Sequence, residues 1–289
     1  MARTSPTVRR KRLGSELLRL REAAGCNGEE VAEHMKWGAS SKVYRIEKGE
    51  IGVRIGDLTS LLDFYGVTDT ELRDGLRVLA REGRKRGWWA PYNDVTNRNF
   101  ATYIGLESAA TELRSYEALV FHGLVQTEQY ARALLAATAP EPATSVDRKV
   151  QLRMDRQKRL AEPDPVRLTM VVDESVLLRR VGGREVMRDQ LRRLRDLVLA
   201  ERVTLRVLRL ETGANPGMVS SFTHIHFADP LDPDCVYLES LSGDIFVEGE
   251  ELVADYTRAF DVIHSCATTG DASLALLDTA IEANDRPHR

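Results

Sequence analysis

The sequence predicts an α+β protein in which an all-α domain of five short helices precedes a larger α+β domain. Three observations lead there. Residues 13 to 82 carry apolar side chains at helical spacing, interrupted at short intervals by turns containing glycine. From Val166 onward, short runs rich in β-branched residues alternate with helical patterns. The charge divides in the same way. Residues 1 to 88 hold 18 Lys and Arg against 13 Asp and Glu, a net of +5, and the rest hold 23 against 31, a net of -8, giving -3 over 289 residues.

In the first helix, Leu13, Leu17, Leu18, Leu20 and Ala24 form an apolar stripe that Gly25 ends. The second opens on a capping box, Asn27 with Glu30, and buries Val31, Ala32 and Met35. A third covers Ser40 to Lys48, with Val43 and Ile46 inward and Gly49 as a left-handed terminator. The fourth runs from Ile55 to Tyr65, and the fifth from Asp69 to Glu82 behind a box of Thr68 with Glu71. Charge, Gly and Pro in residues 81–92 mark a junction. Beyond it, helices are expected at Tyr103–Arg114, Thr127–Ala137 and Val146–Ala161, and later at Glu185–Ala200, Glu250–Ser265 and Ala272–Ala280. Strands are expected at Val166–Val172, Val203–Leu208, Phe222–Phe227, Val236–Leu241 and Asp244–Val247.

No apolar run approaches the roughly 20 residues a membrane span needs. The basic N-terminus leads into an amphipathic segment and not into a secretory h-region. A cytoplasmic protein is expected. Cys26, Cys235 and Cys266 are odd in number and widely spaced, which argues for reduced, buried thiols and against a disulfide framework or a zinc finger. There is no GxSxG, Walker A or GxGxxG motif. No catalytic residue, cofactor or metal is assigned.

The third helix is too polar for a core helix. With Val43 and Ile46 turned inward, Ser40, Ser41, Lys42, Tyr44 and Arg45 face outward, a set suited to base edges and phosphates. A small residue, Ala32, lies where a second helix must cross closely, so the second and third helices have the layout of a helix-turn-helix. Ser41, Tyr44 and Arg45 are expected in the major groove, Ser40 and Lys42 nearer the phosphates, and Lys48 and Arg54 complete the DNA-binding set. The basic run Arg9, Arg10, Lys11 and Arg12 reads equally as a groove-contacting arm or a solvated tail.

The segments LRLREAAG (18–25), EEVAEHM (29–35) and SKVYRIEKG (41–49) resemble the lambda-repressor-like, xenobiotic-response-element type of helix-turn-helix domain. The resemblance implies that Arg21 and Glu47 form an ion pair locking the first helix to the recognition helix. Gly28 stands where that family usually has Gln, which removes a phosphate contact, and the turn KWGAS is one residue longer than is common. Further segments, RGWWAPY (86–92), SYEALVFHGLVQTEQYARALL (115–135), VVDESVLLR (171–179) and FTHIHFADP (222–230) among them, resemble a group of actinobacterial regulators. In that group this reader is joined to a C-terminal domain presumed to bind a ligand or a small protein encoded nearby.

The resulting organisation is a basic arm over residues 1–12, a DNA-binding domain over 13–82, a linker over 83–99 and a regulatory domain over 100–289. The expected protein is a nucleoid-associated homodimer on double-stranded DNA with an inverted-repeat operator, answering to a small molecule or a small protein. An antitoxin-like interaction module and a nucleotide-processing C-terminal enzyme are the alternatives. In the linker, Trp88 and Trp89 read as aromatics that line a ligand pocket or stack on bases or, more simply, as apolar anchors at the junction. Asp173, with Glu174, reads as a helix cap. The helix Arg148–Arg159 reads as a solvated or intersubunit face. His224 and His226 alternate on a strand and so share a face like metal ligands, with Glu239 on a neighbouring strand as a third; the plainer reading is a polar strand face.

Overall fold

A computed structural model describes residues 4–138, 142–240 and 243–285. The chain forms two compact units: one runs to Ala90 and includes Ala228–Asp232, and the other holds Pro91–Phe227 and the chain from Pro233. Ala228–Asp232, expected in the second domain, thus belong with the first unit. The first three residues of the expected arm, Leu241 at the end of an expected strand, and residues 286–289 lie outside the described residues.

Five helices build the first unit: α1 Pro6–Ala23, α2 Gly28–His34, α3 Ser41–Glu47, α4 Ile55–Phe64 and α5 Thr70–Gly83. Leu13, Leu17, Val31, Val43, Ile46, Leu58, Leu61, Leu62 and Leu76 bury one continuous core. The separate arm is a correction. Ser5 caps α1 by accepting the Val8 amide at 3.3 Å, and Pro6 at the first helical position has its φ already set, so the helix begins seven residues before Leu13. Its basic residues are engaged within the unit, Arg10 donating to the Gly83 carbonyl at 3.0 Å and Arg12 to Asp229 at 2.6 Å. At α2 both halves of the Asn27–Glu30 box are present. At α5 the cap is Asp69 and not Thr68: the Asp69 carboxylate accepts the Glu71 and Leu72 amides at 2.9 and 3.2 Å. Gly49 adopts φ +66° directly after α3, and a Cβ there would stand 2.6 Å from the Lys11 backbone.

The second unit is a six-stranded mixed sheet with helices on its faces. Its strands are β1 Glu112–Glu117, β2 Arg167–Asp173, β3 Val203–Leu208, β4 Phe222–His226, β5 Cys235–Leu238 and β6 Ile245–Val247, in the order β3-β2-β1-β4-β5-β6. The first three run parallel, and β4, β5 and β6 join antiparallel. The helices are α6 Arg98–Ala109, α7 Glu128–Thr138, α8 Ala143–Gln157, α9 Glu174–Leu178, α10 Arg184–Leu199, α11 Glu250–Cys266 and α12 Gly270–Asp285. Strand β1 corrects the expectation of a helix reaching Arg114. ELRSYE has the polarity of a surface helix, but here Leu113, Ser115, Tyr116 and Glu117 are all buried between partner strands on both sides.

Strand alternation assigns the faces. Tyr116, Phe222, Val236 and Val171 pack beneath Val253, Phe260 and Ile263 of α11. Their neighbours Ser115, Thr223 and Tyr237 point to the opposite face, where Tyr103 of α6 stacks on Tyr237 with ring centroids 4.1 Å apart. Of the three cysteines Cys235 is buried, Cys26 half-buried and Cys266 exposed, so burial holds for only one of the thiols.

Candidate nucleic-acid interface

Helix α3 turns Val43, Ile46 and Glu47 inward and leaves Ser41, Tyr44, Arg45 and Lys48 exposed. Ser40, at its N-cap, makes no capping bond and is half-buried. Arg54 is exposed at the N-cap of α4. Two of the basic side chains have weak tethers. Lys42 lies 3.6 Å from Asp57 with its ammonium 3.8 Å from the centre of the Trp37 ring, and Arg45 lies 3.4 Å from Glu50. Exposed pairs of this length contribute under about 1 kcal/mol, so a phosphate or a base edge can replace the carboxylate at little cost.

What holds the helix in place is strong by comparison. Arg21 on α1 reaches Glu47 through two bonds, Nε to Oε1 at 2.6 Å and a terminal nitrogen to Oε2 at 3.1 Å, and also donates to the Cys26 carbonyl at 2.9 Å. The pair is largely removed from water, with side-chain exposures of 12% and 5%. The hydrogen bond to Glu47 is the main reason the Arg21 pKa is raised above its ordinary value. This bidentate pairing fixes the angle of α3 against α1.

Gly28 has a packing explanation. A Cβ at this position would lie 2.6 Å from Cζ and Oη of Tyr44, so the tyrosine ring occupies the space a longer side chain would need. The polar atom at this place is the Tyr44 hydroxyl, supplied by α3 and not by α2. Tyr44 remains 44% exposed, which leaves its ring both supported and accessible.

The candidates elsewhere separate. Trp89 is buried in the first unit and Trp88 stands edge-on to it, 43% exposed, with ring centroids 6.1 Å apart. Asp173 is a cap, accepting the Ser175 amide at 2.9 Å at the start of α9. His224 and His226 do share a face, with ring centroids 3.8 Å apart. Burial and the neighbouring His226 hold the His224 imidazole down to about 4. Glu239 is not with them. His224 pairs with Val236 in the β4–β5 register, so even-numbered residues of that segment share the histidine face and Glu239 points the other way. The carboxylate that joins the histidines is Asp234, 2.6 Å from Nδ1 of His226.

Glu239 instead lines a cavity of about 430 Å³ on the opposite face, together with Tyr103, Glu117, Arg153 and Tyr237. Burial pushes the Glu117 carboxyl up to about 8, against a 2.5 Å hydrogen bond from Ser115 that favours ionisation. Burial and neighbouring Arg156 bring Arg153 down to about 10, and it donates to Gln126, a neutral acceptor, at 2.7 Å. Arg156 is buried on Glu107 through two bonds of 2.9 and 2.7 Å. His122, held down to about 4 chiefly by burial, lies 3.0 Å from the Tyr103 hydroxyl. The reading of residues 148–159 as a solvated or intersubunit face holds for one side only: Arg148, Gln151 and Lys158 are exposed, whereas Arg156 and Arg159 are buried. Val146, Val150, Arg153 and Gln157 follow a helical stripe, and its last two members are polar because they line a wall carrying hydrogen-bonding groups. That spacing was the available signal; the carboxylates facing it, on β1 and α6, come from distant segments.

A family model described as a domain of unknown function (DUF5753) matches residues 100–279, and one described as a helix-turn-helix domain matches residues 12–75. No curated protein and no solved structure matches the chain. Among the described residues, no helix is long and apolar enough to cross a membrane.

Proposed function

The chain belongs to the DUF5753 family and carries a helix-turn-helix domain in front, the part of a DNA-binding regulator, and from this premise we propose a sequence-specific homodimer on an inverted-repeat operator whose affinity is set by an effector bound in the second unit. The observation that carries the reading is the division of α3 into a pinned inner face, Val43, Ile46 and Glu47, and an accessible outer face, Ser41, Tyr44, Arg45 and Lys48. A helix of this width enters the major groove, where an arginine can pair with a guanine edge through two hydrogen bonds. Two readers about 34 Å apart in successive grooves convert two weak contacts into one strong one.

For the second unit, the cavity supports a small effector that combines an apolar or aromatic body with an anionic group. The body would lie against Tyr103 and Tyr237, and the anion would meet Arg153, whose hydrogen bond goes to the neutral Gln126. The size falls in the usual range of small-molecule sites, about 300 to 1,000 Å³. Binding there changes DNA affinity to the extent that the effector distinguishes two arrangements of the dimer. No enzymatic activity is assigned. A small protein partner is the second form of this reading, favoured by Leu210, Met218 and Val219, which are 57%, 71% and 89% exposed in the β3–β4 connection.

The test begins with selection of bound sequences from a random DNA pool by the full chain, followed by titration of the selected site. Arg45→Ala is expected to weaken binding by about 1 to 3 kcal/mol and to relax the preference at one base step. Unchanged affinity and unchanged preference would remove Arg45 from the readout. Failure to select any sequence would overturn the reading as a whole.

A further inference from the structure

Two imidazoles and a carboxylate meet on the α11 face of the sheet with part of their bonding capacity unused. His224 and His226 stand two residues apart on β4, and Asp234 enters from just before β5. The three offer ligand atoms within 4.8 Å of one another. His224 is 1% exposed. Its Nδ1 lies 3.4 Å from Oγ1 of Thr257 on α11, and that hydroxyl already donates its proton to the Val253 carbonyl at 3.0 Å. Towards His224 the threonine can therefore only accept. The imidazole proton sits on Nδ1, and Nε2 is left with a bare lone pair.

That Nε2 is buried, makes no hydrogen bond, and lies 3.7 Å from Oδ2 of Asp234. A lone pair and a carboxylate oxygen facing each other across 3.7 Å repel, and burial disfavours relieving this by protonating the ring. A cation between them removes the repulsion. Asp234 is oriented for this role, because its other oxygen accepts the Phe227 amide at 3.2 Å and Oδ2 is turned to both rings. Nε2 of His226 is a second buried imidazole nitrogen without a hydrogen bond.

We propose that His224, His226 and Asp234 form a binding site for one divalent transition-metal ion of the zinc or cobalt type. Ligand atoms about 2.0 to 2.1 Å from a tetrahedral ion stand about 3.3 Å apart. The present separations, 3.7 Å from His224 Nε2 to Asp234 Oδ2 and 2.6 Å from His226 Nδ1 to the same oxygen, bracket that value. Side-chain adjustments that bring the three ligand atoms, now within 4.8 Å of one another, to that spacing would seat the ion, with the proton that His226 shares with Asp234 moving to Nε2 of the same ring. Two nitrogens and one oxygen select zinc, cobalt or iron(II) over magnesium and calcium, which require all-oxygen shells. His226 and Asp234 are 20% and 35% exposed, so a fourth position opens to solvent. Arg114 lies opposite His224 on the adjacent strand, and its charge is taken up by Glu112 at 3.0 Å.

The experiment uses the untagged full chain, freed of metal with a chelator and titrated with Co²⁺. One equivalent per chain should bind and give the visible absorption of four- or five-coordinate cobalt, which Zn²⁺ then abolishes. Asp234→Asn, whose one amide oxygen can keep the bond from His226 but not also that from the Phe227 amide, and His226→Gln should each weaken binding by more than about tenfold and lose that spectrum, with a cooperative melt in chelator showing that each variant is folded. Thr257→Val should keep the stoichiometry with affinity about tenfold to a hundredfold weaker, the effect of losing an orienting partner. No saturable binding at one equivalent, or equal binding by the parent and Asp234→Asn, would overturn the site.

Discussion

Arg21→Ala tests whether the reader is held together by its ion pair. The substitution leaves the Glu47 carboxylate, 5% exposed, without its two charge-assisted bonds, and also strips the Cys26 carbonyl of a donor. Removing one partner from a buried pair costs about 3 to 5 kcal/mol, because the surviving charge stays desolvated. Arg21 keeps some contact with water at 12% exposure, which places the loss near the low end, about 3 kcal/mol. For a unit of this size each kcal/mol lowers the melting temperature by about 4 to 8 °C, so the first unit should melt about 12 to 24 °C lower. Calorimetry of the full chain reads this as a shift of one transition, assigned to the reader by its stabilisation with bound DNA. The control is Arg21→Met with Glu47→Leu, which removes both charges and should recover to within about 1 kcal/mol of the parent. A shift of only a degree or two for Arg21→Ala, or a double variant no better than the single one, would refute the reasoning.

Two further outcomes follow from local geometry and burial. Gly28→Gln places a Cβ 2.6 Å from the Tyr44 ring and should cost about 1 to 3 kcal/mol of stability. Adding Tyr44→Ala should return most of that loss; thermal melts showing no such recovery would remove the steric account of Gly28. Glu117 binds its proton more tightly in the folded chain, up to about 8, than a carboxyl does in an unfolded one, near 4.3. Its contribution is therefore fully present below about pH 4 and is lost as pH rises through 8. Glu117→Gln should flatten that decline, whose slope reaches at most about 1.4 kcal/mol per pH unit. Urea unfolding at pH 5 and pH 8 checks it, and parallel declines in both proteins would count against a buried neutral carboxyl.

The extent to which the molecule was legible in its sequence varied with the range of the interactions involved. Helices α2 and α3 were visible because their signals are local: a capping box spans three residues, and a left-handed glycine needs only its own backbone. The Arg21–Glu47 pairing was expected from resemblance, and its bidentate geometry needed the structure. At the N-terminus, the basic charge of residues 9 to 12 has the character of an arm, while the Ser5–Pro6 start of α1 is a shorter-range signal of two residues. Strand β1 was missed for the opposite reason. Its six residues show no hydrophobic run, and its burial is imposed by β2 and β4, which arrive from 50 or more residues later in the chain.

The sequence by itself determined the five-helix reader, the outward set on α3, the charge division between the two parts of the chain and the shared face of His224 and His226. These follow from period, capping chemistry and alternation, all of which act within a few residues. Only the tertiary structure decided which carboxylate completes the histidine pair and which polar residues line the cavity. Whether Asp234 or Glu239 faces the histidines depends on the β4–β5 register, and a shift of one residue exchanges the two faces. Register is settled by which side chains the whole sheet can bury at once, and no local stretch of sequence carries that sum.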